Sequence, residues 1–353
     1  MDVGSQQLFF DGHNDVLLKL SSAGGVAAAE AFLSGCDGHI DSRRAATGGF
    51  GGGFFAIYVP TPGDKAVRMD EMVKPRYDVP LPDPVPQPDA LVEAMRQAAI
   101  LVRLEELGAL KICRTAAEIR ACMTQGTMAA IMHIEGAEAI DAEFNALEIF
   151  HRAGLRSIGP VWSRETIYGH GVPFRYPGSP DTGPGLTDHG KRLIERCNTL
   201  GIMIDLSHLN QAGFWDVAGL STAPLVATHS NAHAICPHSR NLTDDQLRAI
   251  ADSDGMVGLN FAVAFLREDG RMIDDVPLSE MLRHLDHLMS ILGEDRVGMG
   301  SDFDGAVIPK ELDSVAGLPK LRDAMVKHGY GDTLIAKLCH GNWLRVLEKT
   351  WGH

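Results

Sequence analysis

The amino-acid sequence predicts an α/β protein, a (β/α)8 barrel. Eight short apolar runs lack polar alternation, which is typical of buried parallel strands. Polar or glycine residues and then a helical pattern follow these runs, as expected for βα units. No Gly-x-Gly-x-x-Gly sequence follows the first run, which favours a closed barrel over an open nucleotide-binding sheet. We expect residues 1–353 to form one barrel domain.

The eight runs follow one another along the chain with amphipathic segments between them. The predicted strands are residues 8–10, 54–59, 128–134, 157–161, 202–206, 225–228, 256–260 and 297–300. Helical patterns include residues 188–200, 243–251 and 278–292. The glycine-rich segment 48–53 precedes a strand and lacks a Gly-Lys-Ser/Thr ending, which indicates closely packed backbone and not a phosphate loop.

Two segments have the composition of inserted loops. Residues 60–88 are rich in Pro and Asp, and residues 168–184 are rich in Gly and Pro. Each follows a predicted strand, and in a barrel the loops after the strands surround the active site. We therefore expect both segments to act as lids.

Charge and cysteine usage limit the partners and the compartment. Lys and Arg number 32 against 46 Asp and Glu, which gives a formal net charge of -14. Because this charge repels polyphosphates and anionic lipids, we expect neither nucleic acid nor a membrane as partner. The six cysteines form no Cys-x-x-Cys pair, and the first residues lack a leader pattern, so we expect a cytoplasmic protein with reduced thiols. A homodimer is compatible with the sequence.

Polar side chains follow five of the predicted strands, where a barrel brings strand ends to one face. They are His13 and Asp15, Glu135, His208, His229 and Asp302. Each alone is an ordinary hydrogen-bonded strand end. The three imidazoles, converging on one face with the carboxylates of Asp15 and Glu135, instead favour a metal site.

The spacing suggests how such ligands could be divided between two metal ions. His13 and Asp15 lie two apart on an extended segment, so their side chains point to the same side and can bind one ion. His208 and His229 come from separate strands and can hold a second ion. Glu135 has two oxygens and can bridge the pair.

Two other side chains suit hydrolysis. If the ligands above serve both ions, Asp302 is free to accept the proton of the nucleophile and pass it to the leaving group. Arg240 can clamp a substrate carboxylate through two parallel hydrogen bonds, but a salt bridge to Asp244 or Asp245 is an equally good interpretation. The polar residues that we interpret as structural are His39, Asp41 and Asp304.

The strand-end motifs together resemble the membrane (renal) dipeptidase family and its bacterial members. They are Phe-Asp-Gly-His-Asn-Asp, His-Ile-Glu-Gly, Ile-Asp-Leu-Ser-His, Thr-His-Ser and Gly-Ser-Asp-Phe-Asp-Gly, in this order. With Cys-Pro-His-Ser-Arg-Asn and Gly-Asn-Trp-Leu-Arg-Val, the similarity extends from about residue 8 to residue 345. Five ordered motifs are far more specific than any one of them.

The resemblance implies a barrel of the metal-dependent amidohydrolase type with two zinc ions. It implies that Glu135 and a water or hydroxide bridge them, that His13 and Asp15 bind one ion, and that His208 and His229 bind the other. The activity it implies is hydrolysis of the peptide bond of free dipeptides by the bridging hydroxide, and a D-residue at the C-terminal position is an open alternative.

The resemblance also implies that Asp302 is the proton shuttle and that Arg240 anchors the dipeptide carboxylate. Family members often place a His shortly after the fourth strand, where it contacts the scissile carbonyl. In this sequence Trp162 stands at that position. His170, in the loop that follows, can take over this contact, so we expect both residues to bind substrate.

Two other classes of function stay open. Another amidohydrolase-type barrel could act on lactams, N-acyl amino acids, phosphoesters or nucleosides. Such enzymes usually begin with His-x-His, whereas this chain has His13-x-Asp15. A non-catalytic binding protein on a degenerate barrel would have lost a ligand, and none is lost.

Overall fold

Eleven β-strands and fourteen α-helices occupy residues 8–62 and 69–352, the part of the chain that the computed structural model describes. The strands are β1 Phe9–Asn14, β2 Phe50–Tyr58, β3 Tyr77–Val79, β4 Lys111–Ile112, β5 Ala129–Glu135, β6 Leu155–Gly159, β7 Phe174–Tyr176, β8 Met203–Ile204, β9 Val226–Ala227, β10 Met256–Asn260 and β11 Val297–Gly300. The helices are α1 Val16–Ser22, α2 Ala29–Ser34, α3 Ser42–Gly48, α4 Gln87–Glu106, α5 Ala116–Gln125, α6 Asn145–Ala153, α7 Asp188–Leu200, α8 Gln211–Leu220, α9 Asp244–Asp252, α10 Val263–Leu266, α11 Leu278–Leu292, α12 Leu318–His328, α13 Asp332–Ala336 and α14 Asn342–Trp351.

Eight parallel strands form a nearly closed barrel in the order β8-β6-β5-β2-β1-β11-β10-β9. The gap between β8 and β9 is closed by a parallel bridge between Asp205 and Val226, and Leu206 N donates to Val226 O at 2.8 Å. Each of the eight predicted apolar runs overlaps one of these strands. The predicted barrel is therefore confirmed.

Two strands, β1 and β2, extend four residues beyond the predicted runs, because polar residues and glycines hide these extensions in the sequence. β1 continues from its apolar run through buried polar residues to Asn14. β2 begins at Phe50 and includes the glycines. A Cβ at Gly52 would lie 2.0 Å from Ala129 O, and one at Gly53 would lie 2.6 Å from Asp11 O. The glycines are thus closely packed backbone, as predicted, but they lie inside the strand.

The two predicted loops meet in a small antiparallel sheet. β3 comes from the first loop and β7 from the second, with Tyr77 opposite Tyr176. Residues 63–68 of the first loop lie outside the described residues. A third loop joins this sheet, since Tyr77 Oη donates to Gly270 O at 2.5 Å and Met272 N donates to Met72 O at 2.8 Å. Short strands of three residues carry too little pattern to be predicted.

The three predicted helices are confirmed with nearly the predicted bounds, as α7, α9 and α11. Thr243 is the N-cap of α9 and forms a capping box with Gln246. Among the described residues, no single helix is both long and apolar enough to cross a membrane. The bent pair formed by Val16–Ser22 and Gly25–Ser34 meets those criteria only when its two parts are taken together.

Candidate metal centre and active site

The predicted ligands converge at the carboxyl end of the barrel. His13 lies on β1 and Asp15 directly follows it, Glu135 ends β5, His208 follows β8, and His229 follows β9. Each is at most 5% exposed. Buried groups of this polarity need partners, because an unpaired buried charge is strongly unfavourable.

The two oxygens of Glu135 face different ligands. Its Oε2 lies 3.6 Å from His13 Nε2, which in turn lies 3.3 Å from Asp15 Oδ2. Its Oε1 lies 3.0 Å from His208 Nε2 and 3.5 Å from His229 Nε2. A carboxylate between two groups of ligands is the arrangement that can bridge two ions.

The donor atoms fit divalent cations. The ligand atoms of Glu135, His208 and His229 lie within 4.8 Å of one another, as do those of His13, Asp15 and Asp302. Both ring nitrogens of His13 are buried without a hydrogen-bond partner within the described part of the chain. A ligand set of imidazoles and carboxylates without thiolates suits zinc and similar ions.

Electrostatics at the centre also favours cations. Burial raises the pKa of Glu135 well above its ordinary value, and the charges of Asp15 and Asp302 add to the shift. Burial also raises the pKa of Asp302. The imidazoles of His208 and His229 have pKa values well below normal, chiefly because of burial, so their nitrogens are free to bind metal.

Two site residues have left-handed backbone conformations, His208 at φ 68° and Asp302 at φ 60°. Such conformations cost about 1–3 kcal/mol and persist where neighbouring contacts enforce them. Asp302 N donates to His13 O at 3.0 Å, and Asn260 Nδ2 donates to Asp302 Oδ2 at 3.0 Å. Val172 N donates to His208 O at 2.8 Å. These contacts fix the direction of both side chains.

Arg240 is buried beside the metal ligands and donates hydrogen bonds to the segment that follows β9. Its Nη1 donates to Ser230 Oγ at 2.8 Å and its Nη2 to His229 O at 2.9 Å, while Nε has no partner among the described residues. Burial lowers its pKa to about 10, so it stays charged at neutral pH. Asp244 and Asp245 pair with other residues, and the alternative salt bridge is absent from the described residues.

A cavity of about 750 Å³ opens above the ligands. Asp15 and Asp302 lie among its lining residues, and Trp162 forms part of its wall. His170 is not among the residues that line this cavity, and its Nδ1 lies 3.0 Å from Glu165 Oε1. The structure therefore brings Trp162, but not His170, to the place predicted for substrate binding.

Sequence reasoning missed Tyr58, which ends β2 in register with Glu135 and lines the same cavity. Its hydroxyl has no hydrogen-bond partner among the described residues, so it can donate to a bound molecule. Behind it, the Arg164 guanidinium lies 5.9 Å from the Tyr58 ring and 5.4 Å from the Trp162 ring, and pairs with Glu138 at 2.9 Å. A Tyr that ends an apolar run resembles a core residue, which is why the pattern gave no signal.

The residues interpreted as structural do make structural contacts. Asp41 caps α3 by accepting from Arg43 N and Arg44 N. His39 N donates to Asp304 Oδ1 at 2.6 Å, and Asp304 N donates to His39 Nδ1 at 2.8 Å. His39 and Asp304 nevertheless also line the cavity, which their sequence positions did not indicate.

Comparison with known proteins gives consistent matches along the chain. The model of the membrane dipeptidase family, peptidase family M19, matches residues 2–351. An uncharacterised protein in the pqqA 5' region of Klebsiella pneumoniae is 52% identical over 258 residues, which are 72% of this chain and 95% of that protein.

Two solved structures are similar over nearly their full length. A metallo peptidase from Rhodobacter sphaeroides, liganded with a phosphinate mimic of the dipeptide L-Ala-D-Ala, is 56% identical with a TM-score of 0.95. The dipeptidase AC, a metallo peptidase of family M19, is 55% identical with a TM-score of 0.95. Each comparison covers 98% of this chain and 99% of the other. The family model covers nearly the whole chain, including all the buried ligands described above, and both similar structures are metallo peptidases. The chain therefore belongs to the membrane dipeptidase family, peptidase family M19, and is a metallo-dipeptidase.

Proposed function

We propose that the protein hydrolyses free dipeptides with two zinc ions and accepts a D-residue at the C-terminal position. The observation that carries this proposal is the position of Glu135 between two groups of ligands, in the cavity that Asp302 also lines. The phosphinate mimic of L-Ala-D-Ala bound by the 56% identical relative supports the choice of substrate.

The ligand set divides naturally between two ions. His13 and Asp15 would hold one ion, His208 and His229 the other, and Glu135 would give one oxygen to each. When bound, the ions supply a water that is acidic enough for use near neutral pH, and they polarise the substrate carbonyl.

The chain itself moves the proton. Asp302 is half-buried, lines the cavity and has one oxygen, Oδ2, occupied by Asn260 Nδ2. Its Oδ1 can accept the proton of the hydrolytic water and pass it to the leaving amine. The enforced left-handed conformation of Asp302 keeps its side chain at the cavity.

Other residues bind and orient the dipeptide. The Arg240 guanidinium keeps free donors beside the metal ligands and would bind the C-terminal carboxylate. Trp162 gives an apolar wall, and the Tyr58 hydroxyl would donate to a polar atom of the substrate. Together they would hold one short substrate with its scissile bond over the ligands.

A substrate panel tests the proposed specificity. We expect turnover of L-Ala-L-Ala and L-Ala-D-Ala by the metal-replete protein, and much slower turnover of N-acetyl-alanine, a β-lactam and adenosine. The release of alanine or the loss of the ring or amine is measured for each compound. Faster turnover of any of the last three than of every dipeptide would favour the other amidohydrolase-type chemistries.

Metal analysis tests the proposed cofactor. We expect two divalent ions per chain, predominantly zinc after growth in zinc-containing medium, because the ligands combine imidazole and carboxylate without thiolate. Elemental analysis gives the stoichiometry, and chelation followed by zinc addition should abolish and restore activity. Full activity in chelator with a stoichiometry near zero would refute a metal requirement.

A further inference from the structure

A buried chain of hydrogen bonds lies directly behind one of the metal ligands. Thr228 Oγ1 lies 2.5 Å from Asp205 Oδ2 and 2.8 Å from His229 Nδ1. Asp205, Thr228 and His229 are at most 1% exposed. None of the sequence patterns assigns a role to Asp205 or Thr228, and the proposed mechanism does not use them.

The direction of these hydrogen bonds follows from counting donors. Asp205 Oδ1 already accepts from Ser207 N at 3.0 Å and from Thr228 N at 2.9 Å, so both acceptor sites of this oxygen are occupied. The side-chain oxygens of Asp205 act as acceptors here, so the single hydroxyl proton of Thr228 goes to Asp205 Oδ2. Thr228 Oγ1 can then only accept from His229, whose Nδ1 must carry the proton.

This tautomer leaves a lone pair on the other ring nitrogen of His229. That nitrogen, Nε2, lies 3.5 Å from Glu135 Oε1 and 3.1 Å from His208 Nε2. It therefore faces the group of ligands proposed to hold one of the two ions. A hydrogen-bonded partner on the far side of a metal-binding His fixes its ring and raises its basicity.

His208 lacks an equivalent support. Its Nδ1 lies 2.9 Å from Ser163 Oγ, and among the described residues no carboxylate stands behind this hydroxyl. A serine hydroxyl can donate or accept, so this contact does not select one tautomer. The two imidazoles of the same ligand group thus differ: hydrogen bonds fix the metal-binding tautomer of His229 but not that of His208.

We propose that Asp205 and Thr228 are positioning residues that hold His229 in its Nδ1-protonated form and thereby set the metal affinity of the ligand group formed by Glu135, His208 and His229. The inference rests on the proposed metal sites. It states that zinc binding by this ligand group depends more on the residues behind His229 than on those behind His208.

A series of variants in the full-length protein separates this role from general support of the fold. Thr228→Val keeps the shape but removes the hydroxyl, Thr228→Ser keeps the hydroxyl, and Ser163→Ala is the matched control behind His208. Zinc binding to the metal-free proteins is measured in competition with a chromophoric chelator, and thermal unfolding is followed in parallel.

We expect Thr228→Val to weaken one of the two zinc sites by roughly 10- to 100-fold and to leave the other unchanged. Thr228→Ser should restore affinity to within a few-fold of the wild type, and Ser163→Ala should have a smaller effect than Thr228→Val. If Thr228→Val lowers thermal stability but leaves both zinc affinities unchanged, or if Thr228→Ser fails to restore the affinity, the proposal is wrong.

A second measurement needs no metal. In the metal-free wild type, ring-nitrogen NMR of His229 should show a protonated Nδ1 and an unprotonated Nε2, and Thr228→Val should lose this preference. An Nε2-protonated wild type would overturn the proposal. If the wild type binds no zinc but shows the expected tautomer, the proposed metal function fails while the hydrogen-bond assignment stands, so the two failures are distinguishable.

Discussion

Asp302→Asn is expected to lower kcat by roughly 100-fold or more and to leave the metal content near that of the wild type. Asparagine keeps the size of the side chain and can accept from Asn260, but it cannot take up the proton of the hydrolytic water. Steady-state kinetics on L-Ala-D-Ala and elemental analysis of the same samples give both quantities.

Asp304→Asn is the matched control for this change. Asp304 lies two residues away, lines the same cavity and also has a positive φ, 70° against 60° at Asp302. Asparagine tolerates this conformation as well as aspartate does, so neither variant should disturb the backbone. We expect the control to lose far less activity. Loss of metal from Asp302→Asn with normal turnover after reloading would make Asp302 a ligand, and unchanged turnover would remove it from the mechanism.

The barrel and the converging ligands could be predicted because both follow from local patterns. An apolar run predicts a buried strand, and parallel strands in a barrel bring their carboxyl ends to one face. His13, Glu135 and Asp302 are far apart in the sequence, yet each lies within three residues of the end of such a run. The convergence of these side chains could therefore be predicted without knowing how side chains pack.

Features that depend on contacts between loops or across the barrel could not be predicted. Asp205 and Thr228 are 23 residues apart, and no periodicity indicates that their side chains meet. The loop after the fourth predicted strand offers both Trp162 and His170, and only the folded chain shows which one lines the cavity. Tyr58 was hidden because its apolar neighbours give the pattern of a core strand.

Arg240 is expected to make the enzyme distinguish a free dipeptide from its C-terminal amide. A charge-assisted bidentate pair lost on one side costs about 2 to 5 kcal/mol, roughly 30-fold to several thousand-fold in kcat/KM. The wild type should therefore prefer the free acid by about that factor, since the amide leaves the buried guanidinium without a charged partner. Arg240→Met should erase most of the preference by weakening only the reaction of the acid.

The comparison of acid with amide is needed because Arg240 also supports the site. Its contacts with Ser230 Oγ and His229 O mean that Arg240→Met can shift a metal ligand and lower activity on every substrate. Changing the enzyme and the substrate in one cycle cancels that general loss and isolates the interaction with the carboxylate. Ser230→Ala removes one of the structural contacts but keeps the guanidinium, so it should retain the preference for the acid. An equal loss on acid and amide in Arg240→Met would instead show that Arg240 only holds the segment that follows β9. The carboxylate would then have to bind to a donor that lines the cavity, and the Tyr58 hydroxyl is the first to test.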